Sequence, residues 1–305
     1  MIHYDRESWW RTVFSVRGTV LPHVLGLVGL LTGFTLVLCA LDDYVFDAYG
    51  HPLPALDQLG HTVSGVALSM LIVFRTNSSA ARYWEARTCW GGLINGSRNL
   101  ARLASTYARP ADRLTGMITA YVIALREHLR GKRDLGMLQN LIPARLIDQM
   151  TAANNPPTVA AAAISRWINQ RRLDGAIDSI QAASMEQVLN SIVDNQGGCE
   201  RIQRTPLPFV YAALIKQILF IYLATLPFVL INKMGYAAPL AVAVVAFGML
   251  GIEQAGIAVE SPFTDDPNAL PLDQLCATVA RDTTTLCMSD DDAVASGSSP
   301  VPVRV

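Results

Sequence analysis

Charge is scarce in this sequence. Asp, Glu, Lys and Arg together make up 16% of its 305 residues, and the formal net charge is −1. With so little charge and no excess of either sign there is no global pull toward nucleic acid, and no nucleic-acid partner is expected. Cysteine is sparse as well. Cys39, Cys89, Cys199, Cys276 and Cys287 show no CxxC spacing and no neighbouring histidine, so they read as structural thiols in a reducing compartment. His3, His23, His51, His61 and His128 are scattered, without HExxH-like spacing or a paired nucleophile. Gly91-Gly92 and Gly197-Gly198 are lone pairs, not a phosphate-cradling loop. No constellation for covalent chemistry remains, so an enzyme is not expected and no cofactor is implied. A cleavable leader is not expected either: residues 1–17 carry Asp5, Glu7 and three arginines, with no small-residue cleavage site after them.

What the chain has is apolar length. Hydrophobic residues make up 51% of it, too many for an ordinary soluble domain, while its charge is too high for a chain wholly in lipid. Residues 1–17 set Trp9, Trp10 and Phe14 against Arg6, Arg11 and Arg17, the pattern of an interfacial lead-in. Residues 18–84 hold two expected transmembrane helices, Gly18 to Leu41 and about Asp57 to Phe74. Asp42, Asp43, Asp47 and Asp57 decorate the loop between them, and Arg75, Arg82, Arg87, Arg98 and Arg102 follow the second. The positive-inside rule therefore puts the acidic loop outside and both termini in the cytoplasm. Residues 85–205 read as a cytosolic series of amphipathic helices, broken at Arg109-Pro110, Gly131-Lys132, Pro143 and Asn154 to Pro157 and punctuated by Arg171-Arg172 and Gly197-Gly198. Leu114 to Leu125 is apolar but too short to span. Residues 206–259 hold the third and fourth spans. Residues 260–288 form a rigid extended segment with a short helix from Leu272 to Leu286, and residues 289–305 form a disordered tail. The expected class is an all-α membrane protein with four transmembrane helices and a cytosolic helical bundle, in the cell membrane.

Within the second span Val66, Met70 and Phe74 recur every four residues and form one narrow apolar stripe. Periodicity alone assigns such a stripe to lipid or to a packed core. The run that follows, FRTNSSAARYWEAR from Phe74 to Arg87, resembles the signature of the bestrophin family of ion channels. So do TPLPFVY from Thr205 to Tyr211 and GIEQAGIAVESPF from Gly251 to Phe263, in the same order. Arg75, Thr76, Asn77, Arg82, Trp84, Glu85, Arg87, Pro206, Pro208, Glu253, Glu260, Pro262 and Phe263 are the residues that carry the motifs. The resemblance implies a homopentamer around one central pore, with Val66, Met70 and Phe74 as an apolar neck and a cytosolic constriction near Ile180. It implies passive conduction of small inorganic ions: chloride and other anions as in most of the family, or sodium as in some bacterial members. Met70 stands where relatives carry bulky Ile or Phe. Gln254, Ala258 and Ser261 replace carboxylates common in bacterial relatives.

Two charges lie inside apolar runs, Lys216 and Glu253, where they are expected to pair or to snorkel near the cytoplasmic ends of their helices. Asp265 and Asp266 are the candidate metal ligands, since adjacent carboxylates in a turn suit calcium. Animal members of the family bind calcium through a longer acidic run, which is shortened here, and calcium is not expected. A secondary transporter would need repeated halves and broken helices, which are not seen. A membrane-anchored scaffold without a pore is the remaining alternative.

Overall fold

A computed structural model describes residues 9–16 and 18–287, and among the described residues there is no β-strand. Ten α-helices follow one another among the described residues: α1 (Trp9–Val13), α2 (Leu21–Tyr49), α3 (Gln58–Tyr107), α4 (Asp112–Leu129), α5 (Ala144–Ala152), α6 (Pro156–Leu173), α7 (Ser179–Arg204), α8 (Phe209–Met234), α9 (Ala238–Glu260) and α10 (Leu272–Cys287). Much of the expected lead-in, including Arg6 and Arg17, and all of the expected tail lie outside the described residues. The five cysteines are free thiols.

Local chemistry accounts for many of the boundaries. Asn155 caps α6 by accepting from the Thr158 N–H at 3.3 Å, and Pro156 opens the helix where its missing donor costs nothing. Asp178 and Gln181 form a reciprocal capping box at the start of α7, at 2.7 and 3.0 Å. α2 continues through Asp42, Asp43 and Asp47, where the sequence predicts a loop. It stops only at Gly50, whose left-handed φ of +73° lets its N–H reach the Phe46 carbonyl at 2.8 Å. α3 also exceeds expectation: it runs unbroken for 50 residues across the change from apolar to charged sequence. Propensity permits this, because Arg, Ala, Ser and Glu sustain a helix as well as Val and Leu do.

The chain falls into two compact units. The first comprises the described residues up to Tyr83, with Pro206–Ser261 and Asp266–Asn268. The second comprises Trp84–Thr205, Pro262–Asp265 and the described residues from Ala269 onward. In the first unit α2 packs on α9, and α8 on α9 and α2. Its core draws Val24, Val28 and Leu31 from α2, Leu68 and Ile72 from α3, Leu219 and Leu223 from α8, and Val242 and Ala246 from α9. Among the described residues three stretches are apolar and long enough to cross a membrane, Leu21–Tyr49, Gln58–Tyr107 and Phe209–Glu260. The third is divided by a 3₁₀ turn at Gly235–Ala237 into α8 and α9, which pack against each other.

In the second unit α4 is the central element. Leu114, Ile118, Tyr121 and Leu125 are shielded from solvent by α6, α7 and α10, so the apolar run too short to span is this unit's core. Beside it a chain of buried polar groups is paired: the Tyr121 hydroxyl donates to Gln196 Oε1 at 2.8 Å, and Gln196 Nε2 donates to Glu200 Oε1 at 2.7 Å. Gly197-Gly198 does not interrupt α7. A Cβ at Gly198 would meet Cys89 Sγ at 2.7 Å, so this glycine serves close packing of α7 on α3, not chain reversal. Pro262 to Pro271 is a chain of turns instead of the expected extended segment. The Leu270 N–H closes it onto the Pro262 carbonyl at 2.9 Å, and Asp266 Oδ1 accepts from the Asn268 N–H at 2.7 Å.

Two glycines make the packing testable. A Cβ on Gly116 of α4 would stand 2.3 Å from the Leu141 carbonyl oxygen, a backbone atom, whereas one on Gly197 would meet nothing within 4 Å. Gly116→Ala is expected to destabilise by about 1–3 kcal/mol, and Gly197→Ala to be neutral or to stabilise by up to about 1 kcal/mol. Thermal unfolding of the two purified variants checks this. Equal melting temperatures would refute the close approach.

Candidate functional site

The first-unit portion of α3 has two faces. Gly65, Leu68, Ile72, Arg75 and Ser79 are buried, and their alternating steps of three and four residues keep them on one side of the helix. Val66, Met70 and Phe74 lie on another side and are 59%, 56% and 57% exposed. With Thr62 and Ser69, and with Gly248 and Ile252 of α9, they line an open hollow of about 740 Å³. All three stripe residues therefore share one uncovered surface.

Close contacts hold that orientation. The His61 and Tyr222 rings stack with centroids 4.2 Å apart and planes 12° from parallel, tying the start of α3 to α8. A Cβ at Gly65 would fall 2.6 Å from the Tyr222 hydroxyl oxygen, so a side chain there would displace the ring. At the other end a Cβ at Gly256 of α9 would lie 3.3 Å from Thr76 Oγ1. Neither Gly65 nor Gly256 was among the sequence-derived candidates. The available signal was an isolated glycine inside an apolar run, which marks close approach.

One residue beyond the stripe stands Arg75, 3% exposed. Its Nη1 lies 2.5 Å from Glu253 Oε1 and its Nη2 3.2 Å from Glu260 Oε2. Glu253 is itself only 6% exposed. A guanidinium and a carboxylate out of water are tolerable only when they meet, since each alone carries a desolvation cost of several kcal/mol. Glu253 and Glu260 are seven residues apart on α9 and so lie on one helix face, where a single planar fork can serve both. Arg82 Nε donates to the Glu260 carbonyl oxygen at 3.4 Å, supplying a donor to one of the carbonyls that a helix end leaves open. Glu253 thus pairs with Arg75. Lys216 is exposed and lines a different hollow, of about 260 Å³, together with Glu253 and His23.

The other sequence-derived residues are dispersed. Thr76 Oγ1 donates to the Ile72 carbonyl at 2.9 Å, and Asn77 is exposed. In the second unit Trp84 and Arg87 are exposed, Glu85 forms an ion pair with Arg201, and Pro262 and Phe263 are buried. Pro206 is exposed, and Pro208 with ψ of 128° forms the N-cap of α8. Ile180 is 80% exposed in the first turn of α7. It belongs to the second unit, and the Val66, Met70 and Phe74 stripe to the first. Asp265 is already engaged by cations: Lys132 Nζ lies 2.6 Å from Oδ2 and Arg130 Nε 3.0 Å from Oδ1. The hydrogen bond from Lys132, with Arg130 beside it, holds this carboxyl below the usual range. No cluster of three or more His, Cys, Asp or Glu suited to a metal occurs among the described residues.

Compared with known proteins, residues 1–285 match the family described as Bacterial/Fungal Bestrophin protein. A voltage-dependent anion channel-forming protein of Nostoc sp. is 34% identical over 286 residues, which cover 90% of this chain and 91% of that one. A protein of the same description from Synechocystis sp. is 31% identical, covering 91% and 92%. Among solved structures, a bacterial bestrophin homolog from Klebsiella pneumoniae superposes with a TM-score of 0.80 at 23% identity, covering 87% of this chain and 98% of that one.

The buried cluster generates the next test. Arg75→Leu strands two carboxylates, and is expected to cost about 3–5 kcal/mol. Glu253→Gln leaves Glu260 to neutralise Arg75 and should cost clearly less. Melting temperatures of the two variants in detergent give the ranking, and a reversed order would show that the three side chains do not act as one ionic unit.

Proposed function

The chain belongs to the bestrophin family, in its bacterial and fungal branch, and from that premise we propose that it is a passive anion channel whose neck is the α3 stripe of several copies set around one axis. The supporting observation is how little of α3 its own chain covers. Only 17% of its apolar window is buried, against 33% for α2 and 39% for the α8–α9 stretch. A single apolar helix encloses no water-filled path, so a pore at this face needs several copies, arranged with the closed symmetry usual for homo-oligomers. Five is the number the family resemblance carries, and the proposed assembly is a homopentamer in the lipid bilayer.

In that ring Val66, Met70 and Phe74 would form three stacked apolar constrictions. Water cannot hydrogen-bond their walls, and a dry constriction stops ions, so the neck gates by wetting and dewetting. Met70 is longer and more flexible than a branched or aromatic side chain, which softens the middle ring. The exposure of Ile180 supports a second apolar ring in the cytosolic part of the channel. α2, the first-unit portion of α3, α8 and α9 would each cross the cell membrane, with Asp42, Asp43, Asp47 and Asp57 outside and both termini in the cytoplasm. An apolar neck carries no charge sign. The preference for anions therefore rests on the relatives, which are described as anion channel-forming. Calcium has no part in the proposal, because Asp265 is held by Lys132 and Arg130.

Single-channel recording from the reconstituted protein tests this reading. Discrete steps reversing near the chloride equilibrium potential are expected, and current should rise in Phe74→Ala and rise further in the triple alanine variant of the neck. Reversal near the sodium potential would refute the anion assignment, and silence across ions would favour a scaffold. Current that stays flat or falls in the variants would show that the stripe faces lipid or a packed neighbour.

Topology is checked separately by impermeant thiol labelling of intact cells in a background lacking the native cysteines. Asp47→Cys should be labelled from outside and Arg133→Cys should not. The opposite pattern would invert the orientation.

A further inference from the structure

The second unit contains an open hollow of about 610 Å³ between α4, α5 and α6 for which the channel reading has no use. Its lining is strongly cationic. Arg113 comes from the first turn of α4, Arg145 from the first turn of α5, and Arg166 and Arg171 from α6, while no carboxylate lines it. Among the described residues Arg113, Arg145 and Arg166 have no ion-pair partner. Arg171 is fixed in place: its guanidinium carbon lies 5.8 Å from the centre of the Trp167 ring, and its Nη2 lies 3.3 Å from Asp174 Oδ2. The Nε of Arg171 is buried without a hydrogen-bond partner, and Trp167 is buried in the wall of the hollow.

Four guanidiniums around one hollow repel each other. A chain with 24 basic and 25 acidic residues had carboxylates enough to neutralise them. Leaving three unpaired on three separate helices keeps donors free for a ligand that brings the missing charge. A guanidinium presents planar pairs of N–H donors that match phosphate oxygens two at a time. The volume suits a small molecule, since ligand pockets commonly measure about 300–1,000 Å³. A lone chloride supplies one charge and meets one or two of these side chains. A chain of linked phosphates supplies three or more, spaced to reach several.

We propose that the hollow between α4, α5 and α6, where Arg113, Arg145, Arg166 and Arg171 converge, is a binding site for a compact polyanion of the polyphosphate class. The site is independent of the neck and requires no ion conduction.

Isothermal titration of the purified full-length chain in detergent tests it, with sodium tripolyphosphate as the probe. Saturable binding of one tripolyphosphate per chain is expected, with orthophosphate at least tenfold weaker. The double variant Arg145→Gln/Arg166→Gln should weaken tripolyphosphate at least tenfold. Arg145→Lys/Arg166→Lys, which keeps the charge and loses the fork, should fall between. Arg172→Gln, on the same helix but bonded to Asn169 and outside the lining, should stay within twofold of the parent. A nucleoside triphosphate binding as tightly as tripolyphosphate would assign the site to nucleotides, and one binding more weakly would assign it to inorganic polyphosphate. Both results support the proposal. Absence of saturable binding overturns it, as does an equal loss in Arg172→Gln, which would indicate diffuse attraction to surface charge. A double variant that alters the mass of the assembly but not the affinity also overturns it, because the arginines would then face another copy of the chain.

Discussion

A guanidinium buried between apolar helices dictates much of what surrounds it. Arg75 has left water, and its charge is tolerable only because Glu253 and Glu260 converge on it from α9. That requirement fixes the rotation of α3 about its own axis. With Arg75 turned inward, Leu68 and Ile72 on the same side enter the core, and Val66, Met70 and Phe74 are turned away from it. It also steadies the end of α9, where Glu260 sits at the unfavourable pole of the helix dipole and is offset by Arg75 and by the Arg82 contact to its carbonyl.

The remaining contacts of the first unit serve the same orientation. Gly65 admits the Tyr222 ring, which stacks on His61, and Gly256 lets α9 approach Thr76. These are places where the chain gives up side-chain volume so that helices come together. The second unit is built on the same logic with different chemistry. α4 is buried almost along its whole length, and Tyr121, Gln196 and Glu200 satisfy one another beside it. Charge there is either held in closed sets, as with buried Arg126 against Glu127 and Asp273, or, around the α6 hollow, left open.

Much of this is legible in the amino-acid sequence. Apolar runs of sufficient length announced α2, α8 and α9, and Pro143 and the Asn154 to Pro157 break announced the starts of α5 and α6, whereas the Asp178 cap of α7 went unread. The misreadings share a cause. Asp42, Asp43 and Asp47 looked like a loop because acidic residues leave lipid, yet a helix can extend past the membrane for as long as nothing stops it, and Gly50 is what stops it. Gly197-Gly198 looked like punctuation, but glycine breaks a helix only where nothing compensates, and close packing against Cys89 compensates here.

Sequence by itself determined the helical class, the apolar stripe, the three motifs and the division between greasy and charged segments, because each depends on residues near one another along the chain. Only tertiary structure decided that Arg75 belongs with Glu253 and Glu260, 178 and 185 positions away, and that Lys216 does not pair with Glu253. It alone brought Arg113, Arg145, Arg166 and Arg171 around a single hollow. The reason is physical: a charge in a sequence does not reveal its partner, because pairing is set by which helix faces are buried together, and that is settled by packing across the whole unit.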